Sequence, residues 1–291
     1  MSKNNYFCSR IADVQTMEED ITIKQWIEDL PKKGRITFSL DELKEQFPHK
    51  QGATIKSSLV RLVRKNKVQT IWHKYYIVIP DEYGLKGVVP PIVYIDQLMK
   101  YLGREYYVGL LNAAALHGSA HQQPQEFTVI TNTSNLRNTL KKGVKINFVA
   151  KKNIPSLYLK QIITKTGYVN ISSPELTAID LIQYVSAVGG INRVSTVLNE
   201  LAEVMDFREI GKDFFEYTLS PVIQRLGYIL DKELGFEELA NTLFEKANDA
   251  GLSFRNVPLK TGKKDEILYS KAVDKKWKII INEEIEIDDD T

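Results

Sequence analysis

The sequence holds a single cysteine, Cys8, among 291 residues. One thiol excludes an intramolecular disulfide and a structural zinc site, and it fits a reducing compartment. No apolar run approaches the ~18 residues that a membrane-spanning helix needs. The opening stretch MSKNNYFCSR also lacks an apolar signal core. A cytoplasmic protein with no membrane association is the expectation. The common signatures of nucleotide and metal chemistry are missing as well: there is no G-x-G-x-x-G, no G-x-x-x-x-G-K-[ST] and no H-E-x-x-H. LKTGKKD, residues 259–265, matches a phosphate loop only superficially.

Acidic residues are absent from one long stretch. Between His49 and Tyr76 lie seven basic residues (Lys50, Lys56, Arg61, Arg64, Lys65, Lys67 and Lys74) and no Asp or Glu. The formal net charge is only +2, so the overall balance points to no partner. The distribution does: residues 171–250 carry 14 acidic against 6 basic residues, and the chain closes on INEEIEIDDD. With 43% hydrophobic residues, the chain can bury one large core or two ordinary ones.

Periodicity places the elements. Ile23, Trp26, Ile27 and Leu30 fall at i, i+3, i+4 and i+7, which predicts an amphipathic helix closed by Pro31 and Gly34. In FSLDELKEQF, Ser39 and Glu42 form a capping-box pattern ahead of a short second helix that Pro48 stops. A third helix runs to about Asn66, and VQTIWHKYYIVI is composed for two strands around a polar turn at His73 and Lys74. Three helices followed by a two-stranded ribbon predict a winged helix-turn-helix.

The third helix has a geometric consequence. At about 100° per residue, Ile55, Leu59, Leu62 and Val63 point one way. Lys50, Thr54, Ser57, Arg61 and Arg64 point the other, with Lys56 and Lys65 on the flanks. An ordinary solvated helix face mixes both signs for i,i+4 pairing, whereas here the acidic partners are absent. Short polar residues near the N-terminus and cations further along suit a helix that reads DNA. The expected DNA-binding set is Lys50, Gln51, Thr54, Lys56, Ser57, Arg61, Arg64, Lys65 and Lys67, with His73 and Lys74 from the wing.

DEYGLKGVVPP, with two glycines and two prolines, marks a connection. The predicted organisation is an N-terminal extension at 1–20, a winged helix at 21–80, a linker at 81–91, a second domain at 92–282 and an acidic tail at 283–291. The second domain is predicted as mixed α/β, so the whole is α+β. It should open with two helices, the second burying Tyr107, Leu110, Leu111, Ala114 and Ala115. Strands follow at EFTVIT, VKINFVAKK and GYVNIS, then a helix capped by Ser173 with Pro174 at its first position and Glu175 at the positive end of its dipole. Residues 190–250 read as helical and acidic, the final segment as strands, and the tail as solvated.

No catalytic constellation emerges. His117 and His121 are four apart, but Gly118 ends the helix between them, so a loop or helix-end role is expected rather than a metal pair. Gly118-Ser119 precede a strand as in nucleotidyltransferases, which need carboxylates on that strand for Mg²⁺. Here it carries Phe127, Thr128, Val129 and Ile130. Glu175 and Asp180 have plain structural readings, and no cofactor or metal is expected.

A winged-helix segment followed by YYVGLLNAAALHG, two strands, VNISSPELTAIDLIQY and RLGYILD resembles the AbiEi family, the antitoxins of type IV toxin-antitoxin and abortive-infection systems. The likeness spans roughly residues 20–250. It implies a winged helix that binds inverted repeats upstream of its own gene and represses the operon. It also implies a C-terminal domain that counters a nucleotidyltransferase-like toxin, generally without a stable complex, and no catalytic residue to carry over. Two other readings stand beside it. In one, the acidic second domain docks directly on a toxin or its target without specific DNA binding. In the other, the second domain is an enzyme with a site outside the motifs sought.

Overall fold

The computed structural model describes residues 21–85, 87–119, 124–133, 135–261 and 272–286. Cys8, His121, most of LKTGKKD and the last five residues lie outside them. The chain divides into two compact units, 1–80 and 81–291.

The first unit runs α1 (Ile23–Asp29), β1 (Thr37–Ser39), α2 (Leu40–Gln46), α3 (Gly52–Arg64), β2 (Val68–Trp72) and β3 (Tyr75–Val78). The three strands form an antiparallel sheet in the order β1-β3-β2. Strand β1 was not expected from the sequence, since three residues give no alternation to read. Its inward Phe38 is fully buried and meets Trp26 edge-on at 5.8 Å. The periodic residues of all three helices, Ile23, Ile27, Leu30, Leu43, Ile55, Leu59 and Leu62, close on the sheet as one core. Ser39 caps α2 as expected, its Oγ accepting from the Glu42 amide at 2.9 Å. The reciprocal half of the capping box is not made. Arg35 takes the Glu42 carboxylate in a two-toothed pair at 2.7 and 2.8 Å, a stronger charge-assisted contact than a return to the cap amide.

The second unit opens with α4 (Pro91–Leu102), β4 (Tyr106–Val108) and α5 (Leu110–Leu116). Its sheet continues with β5 (Glu126–Thr131), β6 (Thr139–Lys141), β7 (Val144–Ala150), β8 (Leu159–Thr164) and β9 (Gly167–Ser172), in the order β6-β7-β5-β4-β9-β8. Helices α6 (Pro174–Gln183), α7 (Ile191–Leu201), α8 (Ser220–Tyr228) and α9 (Glu237–Asp249) follow, and the short strands β10 (Val257–Pro258) and β11 (Ile279–Ile280) pair in parallel. The fold class is α+β.

Tyr107 corrects the expected second helix. It belongs to the central strand β4, which is antiparallel to β5 and parallel to β9, and not to α5. The break comes at Gly109, where a Cβ would lie 2.6 Å from Ile130, and at Leu110, whose φ of +55° turns the chain from strand into helix. Residue 283, expected as the root of a solvated tail, and its neighbour Asn282 are fastened to Lys260. The Asn282 side chain bonds both backbone groups of Lys260, and Glu283 pairs with its ammonium at 2.6 Å.

Helix α6 starts as the sequence reads. The Ser173 hydroxyl accepts from the Leu176 amide, and Pro174 takes the first helical position. Ser173→Ala therefore costs about 1 kcal/mol of stability, to be read as a lower urea midpoint with an unchanged slope.

Candidate nucleic-acid interface

Helix α3 buries Ile55, Leu59 and Leu62 to within a few per cent, packs Val63 half-buried beside them, and turns its opposite face to solvent. All eleven residues expected to meet DNA are exposed: Lys50, Gln51, Thr54, Lys56, Ser57, Arg61, Arg64, Lys65 and Lys67 on or beside α3, and His73 and Lys74 in the two-residue turn between β2 and β3. The first turn of α3 carries no acidic residue. Its N-cap, Gln51, makes no side-chain cap, which leaves the helix's first amides without a capping side chain.

The charges around α3 differ from those on the preceding segment. There, Lys24 pairs with Glu28, Lys32 with Asp29, Lys44 with Asp41 and Arg35 with Glu42. Lys50, Lys56, Arg61, Arg64 and Lys65 have no ion-pair partner among the described residues. Lys50 lies over the Phe47 ring at 5.8 Å, which orients it along the start of α3. Unneutralised cations on a convex helix face attract a polyanion and hold condensed counterions that binding would release.

Two details depart from the sequence reading. The Ser57 hydroxyl donates back to the Ala53 carbonyl at 2.9 Å, so only its acceptor side is open to a ligand. Val60 was not singled out, yet it is 50% exposed on the flank beside Lys56. An apolar residue that falls off the buried stripe was the available signal. Such a side chain suits contact with a thymine methyl.

In the second unit the polar groups considered for chemistry have packing roles. His117 is the C-cap of α5, and its Nε2 donates to the Ser172 carbonyl at 2.7 Å. Burial pulls its imidazole below the ordinary value. Glu175 accepts from the Asp206 amide at 2.8 Å, which ties the start of α6 to the loop after α7. Asp180 is fully buried, a placement its sequence position did not reveal. One oxygen takes the Lys151 ammonium at 2.7 Å and the other the Tyr107 hydroxyl at 2.7 Å. Among the described residues no three His, Cys, Asp or Glu side chains gather as metal ligands, and no helix is long and apolar enough to cross a membrane.

Residues 107–232 match the family model described as the AbiEi antitoxin C-terminal domain. The chain is similar in fold to a crystal structure of the RV2827C protein from Mycobacterium tuberculosis, at a TM-score of 0.62 and 12% identity, covering 88% of this chain and 89% of that one. No curated protein matches by sequence.

Proposed function

From the match of residues 107–232 to the AbiEi antitoxin C-terminal domain, we propose that the chain is a cytoplasmic, non-enzymatic antitoxin that also represses its own operon. Its first unit is a winged helix-turn-helix that binds inverted repeats upstream of its gene. Helix α3 enters the major groove, with Lys50, Gln51, Thr54, Ser57 and Arg61 near base edges or phosphates. Lys56, Arg64, Lys65 and Lys67 contact the backbone, as do His73 and Lys74 from the wing. The second unit counters a nucleotidyltransferase-like toxin without a stable complex.

The observation that carries the DNA-binding part is the row of exposed cations on α3 without acidic partners among the described residues. The antitoxin part rests on the matched domain. The test is binding of the purified protein to the DNA just upstream of its gene, against a scrambled fragment, over a salt series. Selective binding whose logarithm falls with log salt at a slope of about −0.9 per phosphate contact is expected. Equal, weak binding to both fragments would remove the repressor role.

A further inference from the structure

A polar cavity of about 590 Å³ opens in the second unit, where β5 and β7 begin, next to α5 and the first turn of α7. That volume suits a ligand of mononucleotide size. Its depth holds polar groups that the protein leaves unpaired. The Asn112 Oδ1 accepts from the Thr128 amide at 2.8 Å, which fixes the orientation of the side-chain amide. The Nδ2 end is left without a partner among the described residues, in a side chain only 9% exposed. The Thr128 hydroxyl, in a residue equally little exposed, has none among the described residues either. Across the parallel ladder, Asn147 stands in register with Thr128, and its Oδ1 is a buried acceptor with no partner among the described residues. A buried acceptor is ordinarily satisfied, so the Asn147 Oδ1, with two unpaired donors beside it on one cavity wall, invites a ligand that completes the set.

The charges of the cavity leave one cation over. Lys145 takes the Glu126 carboxylate at 2.5 Å, and the Asn147 amide binds its other oxygen. Together they hold that carboxyl below the usual carboxylate range, so Glu126 is ionised and neutralised in place. Arg193, exposed at the start of α7 beside Gly189, has no ion-pair partner among the described residues. A cation in the first turn of a helix runs against the dipole, which favours an anion there. Leu110 and Val188 supply apolar wall.

We propose that this cavity binds a nucleoside monophosphate, free or at the end of a strand. Its phosphate lies on Arg193, and the donor and acceptor edge of its base lies against Asn112, Thr128 and Asn147. Guanidinium recognises phosphate with two parallel hydrogen bonds. The neighbouring donors and acceptor on β5, β7 and α5 match the mixed edge of a nucleobase. Among the described residues one carboxylate, Glu126, lines the cavity, and it is already paired.

The test is calorimetric titration of the full-length protein with the four ribonucleoside 5′-monophosphates, a 5′-phosphorylated RNA tetranucleotide, the unphosphorylated nucleosides and inorganic phosphate. Saturable binding of at least one mononucleotide with a dissociation constant below about 1 mM is expected. Arg193→Gln should weaken it about tenfold and Thr128→Val about threefold or more. Tighter binding of the tetranucleotide assigns the ligand to a strand end, and the reverse assigns it to the free nucleotide. No binding by protein with native circular dichroism, binding that Arg193→Gln leaves unchanged, or inorganic phosphate binding as tightly as any nucleotide would each overturn the assignment. Arg193 lies outside the first unit, so Arg193→Gln should leave operator binding intact, which separates this test from that of the repressor role.

Discussion

Exchanging Arg61 and Arg64 together for glutamate lowers affinity for the upstream DNA by roughly a hundredfold or more at moderate salt, and it reduces the salt slope by about two. Both side chains are exposed on α3 and neither has an acidic partner among the described residues, so the exchange breaks no ion pair among them. Its cost to the fold is confined to the last turn of α3, where a cation suits the dipole and an anion does not, a few tenths of a kcal/mol each. Circular dichroism and the thermal midpoint should therefore stay close to those of the parent. That separation of effects makes the experiment decisive. Operator affinity unchanged in a folded double variant would sink the assignment of α3 as the DNA-reading helix.

The same helix separates two kinds of contact. Loss of a phosphate contact weakens binding to every sequence alike, whereas loss of a base contact costs roughly 1–3 kcal/mol at one position. Thr54 has a hydroxyl without a partner among the described residues in the first turn of α3, while the Ser57 hydroxyl is already donated to Ala53. Of the two, Thr54 is the better placed to donate to a base edge.

What the sequence made legible were features whose cause is local. The apolar stripe of α3, the caps at Ser39 and Ser173, and the strands β5, β7 and β9 all follow from spacing within a few residues. The exposed basic face was legible for the same reason, since charge alternation along a helix is a local property. Failures began where the cause was distant. Tyr107, Leu110, Leu111 and Ala114 fit a helical period by coincidence, but Tyr107 lies in a strand because β5 and β9 flank it. Glu42 fitted a capping box until Arg35 competed for it. The cavity at Asn112, Thr128, Asn147 and Arg193 draws on β5, β7 and two helices, so no short window of sequence contains it. Asp180 read as an isolated polar residue in an apolar helix because its partners are 29 and 73 residues away.

Those partners set the other large expectation. Lys151→Met should destabilise the protein by about 3–5 kcal/mol, because it strands a fully buried carboxylate. Asp180 projects from α6. Lys151 directly follows β7, and Tyr107 lies in β4, so the three side chains pin one helix to strands on either side of β5. All three lie within the matched antitoxin domain. Burial pushes the Asp180 carboxyl above its ordinary value, the Lys151 ammonium and Tyr107 hydroxyl holding it back, and burial also keeps the Tyr107 phenol protonated as the donor. Removing Lys151 takes away the larger restraint, so the folded-state value rises further above the unfolded one. A carboxyl raised in this way favours the fold below its unfolded value and loses that contribution as pH climbs through the folded one. The deficit of Lys151→Met should therefore be greatest at neutral pH and shrink as pH falls toward the ordinary carboxylate range. Simple loss of lysine packing would give a deficit independent of pH. The triple variant Lys151→Met, Asp180→Leu, Tyr107→Phe removes every charge and every orphaned polar group at once, and should recover most of the loss. Urea unfolding of both variants over a pH series reads these differences directly. A single variant within about 1 kcal/mol of the parent at neutral pH would mean that the carboxylate finds water when Lys151 is gone, and that α6 is held by its apolar face alone.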